Sequence, residues 1–318
     1  MFRRVSAVIA VVALLVPLAA VQAGSAAAAC DRDAAELIPP AGKAHLGAYV
    51  YAGNELGLSQ PEALESQIGH QLGINHSFQH GAPSVLTARI QADIDAGRIP
   101  MISWAAGDQA ELGKIDLGQK DDWIDAQAQA LAAFCVPMFL RFTWEFDLRY
   151  TDTALFVRVW QRVRDHFRTV APNVAFVWNP TWRAFSETDK AVPFYPGNDY
   201  VDWVAADGYA RPKPDKPEYH YRAFADMFAD AHAFAVSHGK PFMVGETGVH
   251  RDEADPRQAS WLNTTRTVVK AQYPALKAFL YFHVDGDDLD NHWRVTVPPG
   301  GPALQAFRAY ATDPFFNP

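Results

Sequence analysis

The sequence predicts an α/β fold, a (β/α)8 TIM barrel built as a single domain. Short apolar runs of strand length alternate with longer amphipathic stretches of helical period along most of the chain. Eight such runs can be counted, which suits a closed barrel of about 250 residues better than an open sheet. The segment after the first run, Tyr51-Ala-Gly-Asn-Glu-Leu-Gly57, lacks the glycine spacing of a phosphate-binding turn. That argues against a nucleotide-binding sheet.

Each element can be justified in order. Leu46 to Tyr51 reads as the first strand. A helix follows over Pro61 to Leu72, with Ser59 as candidate N-cap and Pro61 near the first turn. Ile74 to Phe78 is the second strand. Ser84 to Ala96 has helical periodicity, and Gly97 stops it. Ile99 to Trp104 is the third strand and Asp121 to Ala133 its helix. Met138 to Phe142 is the fourth strand. Its helix, Thr153 to Val170, ends at Ala171-Pro172. Val174 to Trp178 and Val201 to Ala206 are the fifth and sixth strands. Tyr221 to His238 is a helix closed by Gly239. Phe242 to Gly245 is the seventh strand, and Arg257 to Gln272 its helix. Phe279 to Phe282 is the eighth strand, and Pro302 to Tyr310 the last helix.

The chain opens with a removable segment. Arg3 and Arg4 precede an apolar stretch from Val5 to Ala20, and small residues continue to Ala29. This is the basic, hydrophobic and small-residue order of a signal peptide. The stretch is short for a membrane span, and no basic flank follows it. Residues 1–29 are therefore expected to be a signal peptide with cleavage near Ala29, or alternatively at Ala23. Residues 30–318 then form the catalytic domain. The protein is expected to be secreted, without stable membrane insertion, and monomeric. Its formal charge of −8 makes nucleic acid a poor partner and favours a neutral or polymeric substrate. Nine Trp and eleven Tyr suit stacking on sugar rings, although core packing accounts for most such residues. Export permits a disulfide between the two cysteines, Cys30 and Cys135. Cys135 precedes the fourth strand, so the bridge should lie at the barrel bottom and tie down the N-terminal arm.

The chemistry is carried by Glu145 and Glu246. Each ends an apolar run, on the fourth and seventh strands, where an unpaired carboxylate is costly. Those strand ends face one another across a barrel mouth. Two carboxyl groups about 5–5.5 Å apart are what a retaining glycosidase needs, one as acid and one as nucleophile. The alternative is a buried ion pair at each strand end. Arg141 and the hydroxyl of Tyr209 are candidate partners for an ionised Glu246. An apolar lining near Glu145 would raise its pKa. The barrel places function at the C-terminal strand ends. His80, Trp104, Trp178, Asp207, Tyr209 and His283 are candidate substrate contacts there, with Tyr51 and Asn179 beside them.

Phe139-Leu-Arg-Phe-Thr-Trp-Glu-Phe-Asp147 resembles the strand-four motif of glycoside hydrolase family 26. Further stretches resemble the same family in the same order. They are Gly97 to Trp104, Val174 to Pro180, Tyr195 to Tyr209 and Lys240 to Gly248. The resemblance covers roughly residues 44 to 311, with the sixth and seventh strands its most specific parts. It implies Glu145 as acid/base and Glu246 as nucleophile, with Tyr209 near the nucleophile and Trp178 near the sugar. It also implies an enzyme of β-mannanase, β-glucanase or xylanase type. The sequence departs from the pattern in four places. Trp144 stands where the family usually has His, and Asp147 where it has Asn. Leu148-Arg149-Tyr150 replaces a run of Trp, and Tyr281 stands where Trp is common. Trp144, Asp147 and Tyr281 join Arg141 as candidate substrate contacts. Asp147 and Arg149 either meet a substrate of different hydroxyl orientation or charge, or pair with each other.

No metal or other cofactor is expected. The oxygen-rich stretch His283 to His292 has Asp290 where a calcium loop of the EF-hand type needs Gly. His76 and His80 have zinc-like spacing but fall in a strand and a loop rather than on a helix. Trp182 and Trp293 could be sugar platforms or packing. The expected function is secreted, retaining endo-β-glycosidase action on a β-linked polysaccharide or oligosaccharide of mannan or glucan type. The alternatives are a glycosidase or transglycosylase acting on envelope polysaccharide, and a non-catalytic carbohydrate-binding barrel.

Overall fold

A computed structural model of the chain describes residues 30–51, 59–79, 87–186, 190–212, 220–251, 256–285 and 292–318. The expected signal segment, His80 and most of the oxygen-rich loop lie outside these residues. Eight parallel strands close in chain order: β1 (His45–Val50), β2 (Ile74–Gln79), β3 (Ile99–Trp104), β4 (Met138–Phe142), β5 (Val174–Trp178), β6 (Trp203–Ala210), β7 (Phe242–Val249) and β8 (Leu276–His283). β8 returns to β1, with His45 opposite Ala278 and Val50 opposite His283. The (β/α)8 barrel expected from the sequence is the fold observed.

Alternation along each strand sorts the side chains into two sets. One set points out, among them Leu46, Ile102, Leu140, Phe176, Val244 and Phe279, and merges with the buried faces of the helices. The other fills the barrel: Ile74, Met101, Phe139, Ala175, Val177, Trp203, Ala205, Met243, Ala278 and Leu280. Gly47 of β1 shows how tight this interior is, since a Cβ there would sit 2.8 Å from Ile74 and 2.9 Å from Leu280. A third cluster of Tyr49, Phe78, Trp144, Val284 and Trp293 rings the mouth.

The helices are α1 (Pro61–Ile68), α2 (Thr87–Asp95), α3 (Gln109–Asp116), α4 (Asp121–Ala132), α5 (Phe146–Arg149), α6 (Thr153–Val170), α7 (Trp182–Ser186), α8 (Phe224–Ser237), α9 (Arg257–Gln272) and α10 (Pro302–Ala311). α6 shows why they form. Asp152 caps it by accepting from the Leu155 amide, and Phe156, Val159, Trp160, Val163 and Phe167 recur on one face. α3, α5 and α7 are additions to the expected pattern, all in loops after strands.

At the base, Cys30 and Cys135 are bonded, with Cα atoms 5.2 Å apart. The bridge fixes the N-terminal arm, whose Ala34 and Leu37 close the bottom of the barrel core. β6, β7 and β8 run longer than the sequence predicts. Their extra residues include Asp207, Tyr209 and Glu246, so the site is built on hydrogen-bonded strand rather than on loop.

Candidate active site

In β4, Leu140 and Phe142 face the helices, so Phe139 and Arg141 face inward. The chain then turns sharply. Thr143 (φ 46°) and Glu145 (φ 50°) both occupy the left-handed region. Such non-glycine residues cost of order 1–3 kcal/mol each and collect at functional sites. Two hydrogen bonds hold the turn: Thr143 N–H to the Trp104 carbonyl at 2.9 Å, and Glu145 N–H to the Asn179 carbonyl at 2.7 Å. The turn leaves Glu145 at the mouth with 26% of its side chain exposed.

Glu246 arrives by a different device. Val244 points outward, and strict alternation would send Glu246 the same way. The pairing with β6 steps from Ala206 opposite Val244 to Asp207 opposite Glu246, so β7 contains one extra residue. This is a β-bulge at Gly245 that turns Glu246 into the mouth. Only glycine fits there, because a Cβ would lie 2.1 Å from Asn179 Oδ1 and 2.7 Å from Asp207 Oδ1.

Arg141 organises what lies beneath. Its guanidinium is fully buried and donates through Nη1 to Asp207 Oδ1 and Oδ2 at 2.9 and 2.8 Å, and to Asn179 Oδ1 at 3.3 Å. Nε donates to Ser103 Oγ at 2.7 Å, and Nη2 donates to Glu246 Oε1. The Tyr209 hydroxyl donates to the other Glu246 oxygen. Ser103 Oγ lies 2.7 Å from His76 Nε2. Burial and the Arg141 charge push His76 well below the usual imidazole range, so its ring is neutral. Burial, and then the Glu246 and Asp207 charges, push Tyr209 well above the usual phenol range, so it remains a donor. Glu145 is pushed up to about 7, first by burial and second by the negative charge of Glu246, with Arg141 and Arg149 pulling the other way. Although a quarter of this side chain is open to solvent, surrounding protein hems it in closely enough for desolvation to dominate.

The remaining expected contacts divide in two. Trp144 belongs to the mouth ring, with Phe78 5.2 Å away and the guanidinium groups of Arg141 and Arg149 at 5.4 and 4.3 Å. Tyr209 packs against Trp293 at 4.8 Å. Asp147 does not pair with Arg149; its oxygens accept from Thr181 N–H at 2.8 Å and Thr181 Oγ1 at 2.6 Å.

Trp104, Trp178 and Tyr281 correct the sequence reading. They share the outward parity of Ile102, Phe176 and Phe279, and they lie in the core against the helices. Trp104 packs on Trp123 and Phe142. Trp178 stacks on Phe234 and donates through Nε1 to the Phe194 carbonyl. The Tyr281 hydroxyl donates to the Trp293 carbonyl at 2.8 Å, so it supports the mouth ring from behind. His283 is also buried. Its ring pins Val295 N–H and the Thr296 hydroxyl, and burial drives it down to about 3. Arg141 and Asp207 are 0% and 2% exposed and are engaged with each other, Arg141 donating to Asp207 and to Glu246, so that Asp207 anchors the guanidinium that holds Glu246. Trp182 is core. From the sequence Ser103 and Gly245 receive no site role, and His76 is raised only as a zinc ligand and set aside; in the structure Ser103 links His76 to Arg141 and Gly245 forms the bulge. Ser103 had a signal available, since it carries a hydroxyl on the inward face of β3 directly opposite Arg141 in the ladder.

Among the described residues no group of three or more His, Cys, Asp or Glu could hold a metal ion. The comparisons fit this carboxylate geometry. The chain is 24% identical over 279 residues to Endoglucanase H of Acetivibrio thermocellus, covering 83% of this chain and 30% of that protein. It is 25% identical over 214 residues to Beta-1,3-xylanase TXYA of Vibrio sp, covering 59% and 44%. It thus spans less than half the length of these curated relatives. The solved structure of BoMan26A, a GH26 β-mannanase from Bacteroides ovatus, shares the fold with a TM-score of 0.64 at 16% identity, covering 86% of this chain and 89% of that one. The model of glycosyl hydrolase family 26 matches residues 121–296, more than half of the sequence. The chain belongs to glycosyl hydrolase family 26.

Proposed function

We propose that the protein is a secreted endo-β-glycosidase that cleaves a β-linked polysaccharide of mannan or glucan type with retention of configuration. One observation carries the reading. Glu145 and Glu246 meet at one barrel mouth in different surroundings, Glu145 pushed up to about 7 by burial and the Glu246 charge, Glu246 accepting hydrogen bonds from Arg141 and Tyr209. A carboxyl group that holds its proton beside one fixed by two donors supplies an acid and a nucleophile at a single site.

In the first step a Glu246 oxygen attacks the anomeric carbon while the glycosidic oxygen leaves, taking the proton of Glu145. This forms a glycosyl ester on Glu246. In the second step Glu145, now ionised, takes a proton from water, whose oxygen attacks the same carbon and releases Glu246. The Arg141 and Tyr209 donors orient the nucleophile. The relatives are named for a glucanase, a β-1,3-xylanase and a β-mannanase, which supports a β-linked polymer and leaves the sugar to experiment. The Cys30–Cys135 bridge and the leader-like first 29 residues support export.

The test is a glycan screen followed by mutation. Glu246→Ala and Glu145→Ala should each lose several orders of magnitude in turnover. Azide should rescue each with opposite product anomers, because it attacks the sugar from opposite faces in the two variants. Near-normal turnover in either variant refutes the assignment.

A further inference from the structure

We infer that Arg149 recognises a carboxylate on the substrate, so that the preferred glycan carries a uronic acid beside the bond that is cut. This deepens the proposed function and rests on it. Arg149 ends the short helix α5 that begins just after Glu145. Its guanidinium stacks on the Trp144 ring at 4.3 Å, and Nη2 lies 4.0 Å from Glu145 Oε2. It is therefore held beside the carboxyl group that meets the glycosidic oxygen. Its side chain is 35% exposed.

Among the described residues Arg149 makes no hydrogen bond, and Glu145 at 4.0 Å is beyond hydrogen-bond distance. The nearest alternative carboxylate in sequence, Asp147, is occupied by Thr181. Three other arginines near the mouth have charged or hydrogen-bonding partners among the described residues. Arg251 pairs with Asp285 at 3.1 Å, Arg294 donates to the Tyr51 carbonyl at 2.6 Å, and Arg141 is saturated from below. A planar guanidinium stacked on an aromatic face has already lost much of its rotamer freedom, and its paired donors match the two oxygens of a carboxylate. In a protein of formal charge −8 this placement singles out an anionic ligand group rather than general attraction.

The experiment compares β-linked gluco-oligosaccharides carrying one glucuronate unit with their carboxyl-reduced counterparts and with 6-O-sulfated versions. The wild type should favour the glucuronate over the reduced form in kcat/KM by about ten- to a hundredfold, the range of a hydrogen-bonded charge. The ratio should fall toward one in Arg149→Met, and Arg149→Lys should retain part of it. A wild-type ratio near one, or a ratio unchanged in Arg149→Met, overturns the inference. An Arg149-dependent preference for sulfate over carboxylate overturns the carboxylate assignment. Turnover of none of these glycans counts against the hydrolase reading instead. Calorimetric binding of the same oligosaccharides to Glu246→Gln then decides the point: tighter binding of the glucuronate that is lost on adding Arg149→Met upholds the inference, and equal binding overturns it.

Discussion

Adding one methyl group at Gly245 tests how Glu246, the proposed nucleophile, reaches the mouth. A Cβ at this position lies 2.1 Å from Asn179 Oδ1 and 2.7 Å from Asp207 Oδ1. Relief needs a movement of about 1 Å by Asn179 or by the β7 backbone. Overpacking of this kind costs about 1–3 kcal/mol. Moving Asn179 also breaks its bond from Arg141, a further ~1.5–3 kcal/mol for a hydrogen bond to a charged group. Gly245→Ala should therefore lose about 2.5–6 kcal/mol of stability when Asn179 is displaced. If the backbone moves instead, Glu246 shifts by about 1 Å, and a misplacement of that size lowers kcat by about a hundredfold. The assay is urea unfolding together with kcat on the glycan found by screening. Gly113→Ala is the control: it lies inside α3 with nothing within 4 Å of its added Cβ, and it should gain up to about 1 kcal/mol. If Gly245→Ala keeps its unfolding midpoint and its kcat within threefold, the bulge argument is wrong.

Three further outcomes are expected. In the proposed mechanism Glu145 is protonated for the first step, so kcat/KM should fall as pH rises through about 7. Because its folded pKa is raised above the ordinary glutamate value of 4.5, the fold loses stability as pH rises from about 4.5 to 7, and Glu145→Gln should stabilise the protein at pH 8 by up to about 3 kcal/mol in thermal unfolding. An alkaline limb unmoved from wild type in Glu145→Gln would refute that role. The Cys30–Cys135 bridge spans 105 residues of sequence, so the double Cys→Ser variant should lose about 2–5 kcal/mol while its folded fraction keeps wild-type kcat at 25 °C. Loss of kcat without loss of stability would tie the bridge to the site. Trp178→Phe should cost about 1–3 kcal/mol through lost volume and the lost bond to the Phe194 carbonyl, with KM unchanged. A tenfold rise in KM at full stability would return Trp178 to the cleft.

Much of this was legible in the chain itself. The apolar runs and helical periods gave eight strand–helix units, with β3, β4, β5, α6 and α9 at the expected residues. They did so because burial between barrel interior and helices demands continuous apolar strands. Glu145 and Glu246 stood out because a carboxylate at the end of such a run needs a reason. Arg141 and Tyr209 were placed as partners of Glu246 from the same run endings. The aromatic residues were a different matter. An aromatic ring at a strand end has the same identity whether it faces a sugar or a helix, and for Trp104, Trp178 and Tyr281 the choice follows from the outward parity each shares with the residue two before it.

The sequence by itself determined the barrel and the two carboxylates, because local hydrophobic period and side-chain chemistry are written residue by residue. Only the tertiary structure decided which strand face turns inward, since that depends on register around the closed sheet and on an extra residue at Gly245. It also decided that Asp147 bonds Thr181 and that Arg149 stacks on Trp144 beside Glu145. Those pairings join segments brought together by folding, and their distances are set by packing rather than by spacing along the chain.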